Sequence, residues 1–486
     1  MSFVGFRNRG HLERFHEVEN VRKSSSYPYA VGVVAAGLLI CWLLVTAFNA
    51  IPDLQVASIA LLVSTVVAGA LILRSVQGGQ WSMAFLVYLA TVLFHVGLFL
   101  TPAFGGDVPR MWADSSNTWF QDSDMSRAAA FVAIGLLSFA LGSSWFGDRK
   151  GTAPESETGV EAEHREEFQR SIYAVIGSLM TIAGVSFWFG ENISVSGLDF
   201  RSQTYEQYLA SVANTSITLS FLAIGIGLPL AAQRIKGVLP VAAVLFFFAF
   251  AIVGFPLGLR GEVLMPLLVA AAIYVSKRKR PPRWLLSVSA LITLVFIAVV
   301  KQFRSTGITN IHSFSDLIQA PLSAIQEMGS SVRVVALTIS WHHYQGMPFE
   351  LGGSYYAPME RWVAAIFNMP RPAVNDDFRL FNVLIISQEG TIGGSVIGEA
   401  YHNFAVPGIV VIMGLWGALI GWLGRSYKTA TRTAVLGIAG IIYVWQVRNA
   451  STEIAYWVLT GICCILVARI VELVGQRWRQ AGYGGG

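Results

Sequence analysis

The sequence predicts an all-α polytopic membrane protein of about twelve transmembrane helices, with one long outer-face segment between the ninth and tenth. Three observations predict it. Of 486 residues, 54% are hydrophobic and only 13% charged, where a soluble globular domain carries about 25% charged residues, and the mean hydropathy is +0.56. Apolar stretches of about twenty residues recur along the chain, each long enough to cross a hydrocarbon core of ~30 Å at ~1.5 Å per residue. The stretches are joined by short polar loops and lack the alternating pattern of an outer-membrane barrel, so the backbone must satisfy its own hydrogen bonds as helices. This composition excludes an ordinary soluble enzyme, and the net charge of +5 needs no nucleic acid to explain it.

In chain order, residues 1–28 mix acids and bases and form a cytoplasmic N-terminal segment. The apolar run that follows is too long for a signal-peptide core and reads as a retained first span at 29–49. Further spans are expected near 54–73, 81–104, 127–146, 170–189, 213–232, 238–257, 260–276 and 284–303, completing a block over 29–303. A hundred-residue outer-face segment at 304–403 precedes spans at 404–424, 433–450 and 453–472, and a cytoplasmic tail at 473–486 ends the chain. Alternate loops carry Arg22-Lys23, Arg74, Arg149-Lys150, Arg234 with Lys236, the run from Lys277 to Arg280 with Arg283, and Arg425 with Lys428. By the positive-inside rule that side is cytoplasmic, with both termini inside. The stretch 148–168 reads as a solvated linker. Cys41, Cys463 and Cys464 all fall within spans and read as small apolar side chains rather than a disulfide framework.

A loop as long as 304–403 in a compact helical bundle is usually functional. Leu317, Ile318, Leu322, Ile325 and Met328 share one helical face, which predicts a helix lying on the membrane or packed over the bundle. Ser330 to Trp341 is compatible with helix or strand.

Basic residues divide unevenly between the two sides. Six of seven lysines fall inside, whereas Lys301 and ten arginines fall outside: Arg110, Arg127, Arg201, Arg260, Arg304, Arg333, Arg361, Arg371, Arg379 and Arg448. Arginine's planar fork binds phosphate or carboxylate bidentately and stays protonated, which suits a phosphorylated ligand at a water–membrane boundary. An arginine-rich composition would produce the same count. Gly258-Leu259-Arg260-Gly261-Glu262 sits between two apolar stretches with almost no loop, so Arg260 and Glu262 lie at or just below the outer surface. Ionisable groups retained there pair with each other or line a pathway. Arg448, followed by Glu453, is a similar case.

Glu399, His402 and Asn403 share a helical face if the helix begins near Gly398. A carboxylate or imidazole beside an acceptor hydroxyl is what general-base catalysis requires; a hydrogen-bonded cap at a loop–helix junction is the alternative. His342-His343 lacks an Asp, Glu or Cys at ligand spacing and reads as a surface pair, not a metal site. No Walker loop, nucleotide-binding glycine fingerprint or HExxH motif is present, so no cofactor is expected.

The Gly258–Glu262 turn, the long outer segment and the run Gly394-Ser395-Val396-Ile397-Gly398-Glu399-Ala400-Tyr401-His402-Asn403-Phe404 together resemble bacterial oligosaccharide repeat-unit polymerases of the O-antigen polymerase (Wzy) type. Ala405 stands where that pattern usually has glycine. The motif content covers the C-terminal half, while the first 230 residues match only in hydropathy. The resemblance implies a metal-independent, membrane-embedded glycosyltransferase on the outer face of the bacterial cytoplasmic membrane. It would join undecaprenyl-diphosphate-linked oligosaccharides into a surface polysaccharide, with a chain-length regulator and a flippase as partner proteins. In these terms Glu399 is expected as general base with His402 the alternative, and Arg260 as the group gripping the diphosphate. Arg304, Glu262, Tyr401, Asn403, Arg333, Arg361 and Arg448 are expected to bind substrate, and Tyr355, Tyr356 and Trp362 either stack on sugars or pack the outer segment. Two other functions stay open: an O-antigen ligase using the same donor, and a twelve-span transporter or flippase, which would not need a hundred-residue outer segment.

Overall fold

The computed structural model describes residues 32–37, 39–40, 42–43, 53–76, 78–106, 122–146, 160–197, 208, 214–277, 281–306, 314–390, 392–425 and 429–483. Their regular structure is helical throughout, with no strand among the described residues. The chain is an all-α polytopic membrane protein. Its helices are α1 (Leu54–Ser75), α2 (Met83–Val96), α3 (Asp122–Trp145), α4 (Val160–Ser196), α5 (Asn214–Ala231), α6 (Val238–Gly254), α7 (Arg260–Ser276), α8 (Arg283–Thr306), α9 (Phe314–Met328), α10 (Val332–His343), α11 (Gly353–Ile366), α12 (Phe381–Glu389), α13 (Val396–Gly424), α14 (Ala430–Arg448) and α15 (Ile454–Tyr483). Among the described residues eight helices are long and apolar enough to cross a membrane: α1 to α5 and α13 to α15, α2 being prolonged to Ala103. The expected spans at 238–257, 260–276 and 284–303 coincide with α6, α7 and α8, of which α6 and α7 have 17 residues each. Most of 29–49, with Cys41, lies outside the described residues.

Lipid offers no hydrophobic gain when helices associate, so tight crossings depend on small residues that let backbones touch. Two pairs show this. A Cβ on Gly417 of α13 would stand 2.1 Å from the Phe139 carbonyl oxygen of α3, and one on Gly142 of α3 would stand 2.1 Å from that of Gly414. At the α4–α5 crossing, a Cβ on Gly177 would meet the Gly227 carbonyl oxygen at 2.4 Å. Helix α3, whose side chains are mostly buried, is the bundle's centre and packs against α1, α10 and α13.

Among the described residues, the regular structure of the segment 304–403 is helical, from α9 to α12. Helix α9 matches the amphipathic stretch and is pinned over the end of α2, where a Cβ on Gly97 would stand 2.1 Å from the Ile325 carbonyl oxygen. The stretch with two possible readings is helix α10, and it is no solvent-facing excursion: Val332, Val334, Val335, Ala336, Leu337, Ile339 and Trp341 are all buried. The expected linker at 148–168 is likewise helical from Val160, because α4 runs 37 residues and projects beyond the membrane thickness.

Helix α13 begins at Val396, where the hydroxyl of Ser395 accepts from the Gly398 N–H at 3.1 Å. That hydroxyl also lies 2.7 Å from His95 Nε2, while His95 Nδ1 is 3.2 Å from the Thr91 carbonyl. A carbonyl only accepts, so Nδ1 carries the proton and Nε2 accepts from Ser395. The helix then breaks at Phe404 (φ −136°, ψ 19°) and Ala405 (φ 56°, ψ −152°). The carbonyls that the break frees are satisfied from the turn before α11, His402 by the Glu350 N–H at 3.2 Å and Asn403 by the Leu351 N–H at 3.0 Å. Irregular backbone near a bilayer is tolerated only with such protein partners.

Candidate functional site

Glu399 lies in the short first half of α13 and is fully buried. Its Oε1 accepts from the Ser354 hydroxyl at 2.7 Å and from the Ser451 hydroxyl, and its Oε2 accepts from the Ser451 N–H at 2.9 Å. One turn on, Asn403 donates to the Ser354 Oγ and to the Glu399 carbonyl, both at 2.8 Å. The expected shared face therefore brings Glu399 and Asn403 together, and it joins α13 to the first turn of α11 and to the turn before α15.

His402 belongs to a different group. Its Nδ1 is 3.0 Å from His342 Nε2, and His342 Nδ1 is 2.7 Å from the Met347 carbonyl. The carbonyl fixes the proton on His342 Nδ1, which makes His342 Nε2 an acceptor and His402 Nδ1–H its donor, leaving the lone pair on His402 Nε2. His342 is half-buried and stacked on Phe349 at 4.1 Å, so the expected surface reading holds for the exposed His343 but not for His342. Burial lowers the His342 pKa below its ordinary value, and the hydrogen bond to Met347 only partly opposes this. Tyr401 packs against Phe131 at 4.9 Å and edges onto His342 and Phe349.

A cavity of about 380 Å³ opens at the N-terminal end of α7. Its lining includes Glu262 of α7, the pair Gly393 and Gly394, and Trp445, Arg448 and Glu453 from the end of α14 and the turn after it. Three charged side chains from two distant chain regions thus converge on it, Glu262, Arg448 and Glu453. Among the described residues none of the three forms an ion pair. The glycine pair explains part of the geometry. Gly393 has φ 85°, and a Cβ on Gly394 would stand 2.6 Å from the Ala450 nitrogen, with the Gly394 N–H donating to the Arg448 carbonyl at 2.7 Å. These glycines let two backbones touch and so set the cavity wall. Ser451, the buried residue between the lining residues Ala450 and Thr452, is the one that Glu399 holds.

Four other arginines that the sequence marks, Arg260, Arg333, Arg361 and Arg379, are engaged within the protein. Arg260 pairs with Glu327 of α9 at 3.1 Å rather than with Glu262. Arg333 stands 3.7 Å from Glu389, with its pKa lowered by burial against the opposing pull of that carboxylate. Arg361 bonds Asp377 at 3.1 Å and the Pro372 carbonyl at 2.9 Å, and Arg379 bonds Asp377 and Glu360. Burial pushes the Asp377 carboxyl up, but the hydrogen bonds from Arg379 and Arg361 outweigh it and hold the group below the usual carboxylate range. Arg304 falls in the last turn of α8, and its side chain lies outside the described residues, as do Arg110 and Arg201. Tyr355 lies parallel to Phe404 with centroids 6.4 Å apart, so its ring packs the outer segment.

Trp445 and Asn382 line the cavity, although neither was marked as a site residue in sequence. Trp445 sits in an apolar span, where a tryptophan carries no signal beyond hydropathy. The comparisons with known proteins bear on the same segments. The O-antigen polysaccharide polymerase Wzy family matches residues 31–476. Protein CapE of Staphylococcus aureus is 22% identical over 380 residues, which covers 75% of this chain and 78% of CapE. No solved structure matches the chain. Since the family match extends from the first helix through the cavity-lining segments into α15, the chain belongs to the O-antigen polysaccharide polymerase Wzy family.

Proposed function

We propose that the chain polymerises oligosaccharide repeat units carried on undecaprenyl diphosphate, with transfer in the 380 Å³ cavity at the N-terminal end of α7 and no metal ion required. In this reading the cavity faces the outside of the bacterial cytoplasmic membrane and both termini are cytoplasmic. The observation that carries it is the convergence of Arg448, Glu262 and Glu453 on one cavity without ion pairs among the described residues. A transfer of this kind breaks the bond between the anomeric carbon and the diphosphate oxygen, and the diphosphate leaves with the electron pair. The acceptor hydroxyl oxygen bonds to the anomeric carbon and gives up its proton.

The chain's own groups match these needs. Arg448, exposed at the cavity, supplies fixed positive charge to the departing diphosphate. Glu262 or Glu453 takes the hydroxyl proton as general base. Trp445 offers an aromatic wall for a sugar. Glu399 acts one step back as a positioning residue, since its carboxylate is closed to solvent and holds Ser451, whose neighbours Ala450 and Thr452 line the cavity. Arg260 fixes α9 over the bundle through Glu327.

The test is incubation of the purified protein with lipid-linked oligosaccharide. A ladder of products is expected from the native chain. Arg448→Ala is expected to slow it about ten- to a hundredfold, the value of one charge-assisted bond made mainly in the transition state. Glu262→Gln or Glu453→Gln, whichever is the base, is expected to slow it about 10²–10⁴-fold. A single transfer would mean a ligase, and no transfer with lipid movement would mean a transporter.

A further inference from the structure

A second cavity, of about 590 Å³, lies at the opposite end of α7, roughly 20 Å from the first at ~1.5 Å per residue. Three helices build it. Glu167 and Arg170 come from the projecting end of α4, Gln233, Arg234 and Lys236 from the turn after α5, and Lys277 from the end of α7. Four cations thus line one opening. Two of them are matched by carboxylates of α4, Arg170 by Glu166 at 2.5 Å and Arg234 by Glu167 at 3.0 Å. Lys236 is exposed and forms no ion pair among the described residues, so the cavity keeps an excess of positive charge. Burial, with Arg170 adding to it, pushes the Lys277 ammonium down to about 8, a direction that an arriving anion would reverse.

An independent observation points the same way. Gln233 lines the cavity and is 7% exposed, yet neither its Nε2 nor its Oε1 has a hydrogen-bond partner. Buried amides are nearly always paired, and an exception calls for a ligand or water. An amide N–H₂ beside lysine and arginine is a donor set for phosphate oxygens.

We propose that this cavity binds a phosphate-bearing anion through Gln233, Arg234, Lys236 and Lys277, its source being the headgroup of an anionic lipid in the cytoplasmic leaflet. Basic pockets between membrane helices at that surface suit such headgroups. The run Lys277-Arg278-Lys279-Arg280 begins at the cavity's rim, which adds long-range attraction for the same leaflet. The site shares no residue with the other cavity, and only its cytoplasmic side rests on the topology of the polymerisation reading.

The test uses full-length protein in lipid-depleted detergent, with native mass spectrometry and thermal unfolding as readouts and no activity assay. Cardiolipin is compared with phosphatidylcholine, and inorganic pyrophosphate serves as the soluble probe. The native chain is expected to retain cardiolipin at least tenfold better than phosphatidylcholine and to melt several degrees higher with it. The Lys236→Gln/Lys277→Gln double variant is expected to lose both effects. Gln233→Leu removes the orphan amide, so it is expected to melt no lower than native without ligand and to lose most of the cardiolipin response. A pyrophosphate response in place of the lipid response, also lost in the double variant, supports the anion site and assigns it a soluble ligand. Equal responses of native chain and double variant to both probes overturn the site.

Discussion

Ser451 donates both its hydroxyl and its backbone N–H to the carboxylate of Glu399, across 52 residues of chain. This pair of bonds fixes the turn that carries Arg448 and Glu453 against the short first half of α13. A buried carboxylate with three donors is stable only while all of them remain, since each unmatched donor or acceptor costs about 1–3 kcal/mol.

Glu399→Ala is therefore expected to leave Ser354 and Ser451 without their acceptor and to lower the yield of folded protein. Glu399→Gln keeps the shape and one acceptor oxygen for the Ser451 N–H, so it is expected to fold and to slow polymer formation about tenfold. Product ladders and melting curves measured together check this. A loss of 10²–10⁴ in a fully stable Glu399→Gln protein would make Glu399 the base itself.

Ala405 sits at φ 56° and ψ −152°, a region that only glycine occupies freely and that costs other residues about 1–3 kcal/mol. Ala405→Gly is expected to stabilise the protein by about 1 kcal/mol, and Ala405→Val to destabilise it. The comparison of melting temperatures in detergent decides it, and an unchanged or lower value for Ala405→Gly would contradict the strain.

Gly417→Ala would drive a methyl group to 2.1 Å from the Phe139 carbonyl oxygen, so α3 and α13 must separate. The expected loss is about 1–3 kcal/mol of stability, as in overpacked cores. Denaturant unfolding would report it, with Gly424→Ala as the control, because nothing lies within 4 Å of a Cβ there.

The pKa of His342 is lowered by burial, so the unfolded chain takes up a proton near pH ~6.5 that the folded chain still refuses. The sign follows from this. His342 costs no stability above about pH 6.5, and stability falls as the pH drops below it, by at most about 1.4 kcal/mol per pH unit for one proton. Melting temperatures from pH 7.5 to pH 5.5 should fall less steeply in His342→Gln than in the native chain. Parallel curves would show that another group controls the acid limb.

The glycine pair and the Arg260 turn show how much of the site was legible in one dimension. Gly394 stands in the sequence only as the start of the run that leads to Glu399, and the backbone it lets approach is that of Asn449 and Ala450, more than fifty residues on. Arg260 was marked as needing a partner, and it has one, but that partner is Glu327, 67 residues away, not its neighbour Glu262. Residue type and depth carried the first half of that inference. The identity of the partner was not encoded locally.

The sequence by itself determined the class and the apolar helices, because transfer from water to lipid acts on each twenty-residue stretch separately and hydropathy records it, but not the polar extension of α4 or the helical state of α10. It also marked Arg448, Glu262 and Glu399, since an ionisable residue beside an apolar span is costly unless it has a role. Only the tertiary structure decided which of these meet. Glu399 went inward to Ser354 and Ser451, His402 to His342, and Glu262 with Arg448 and Glu453 to a common cavity. The physical reason is range: helix crossings set by glycine contacts between distant segments, such as Gly417 on Phe139, fix which helix ends become neighbours. Those contacts depend on pairs of residues far apart in the chain, which no local pattern of hydropathy or charge records.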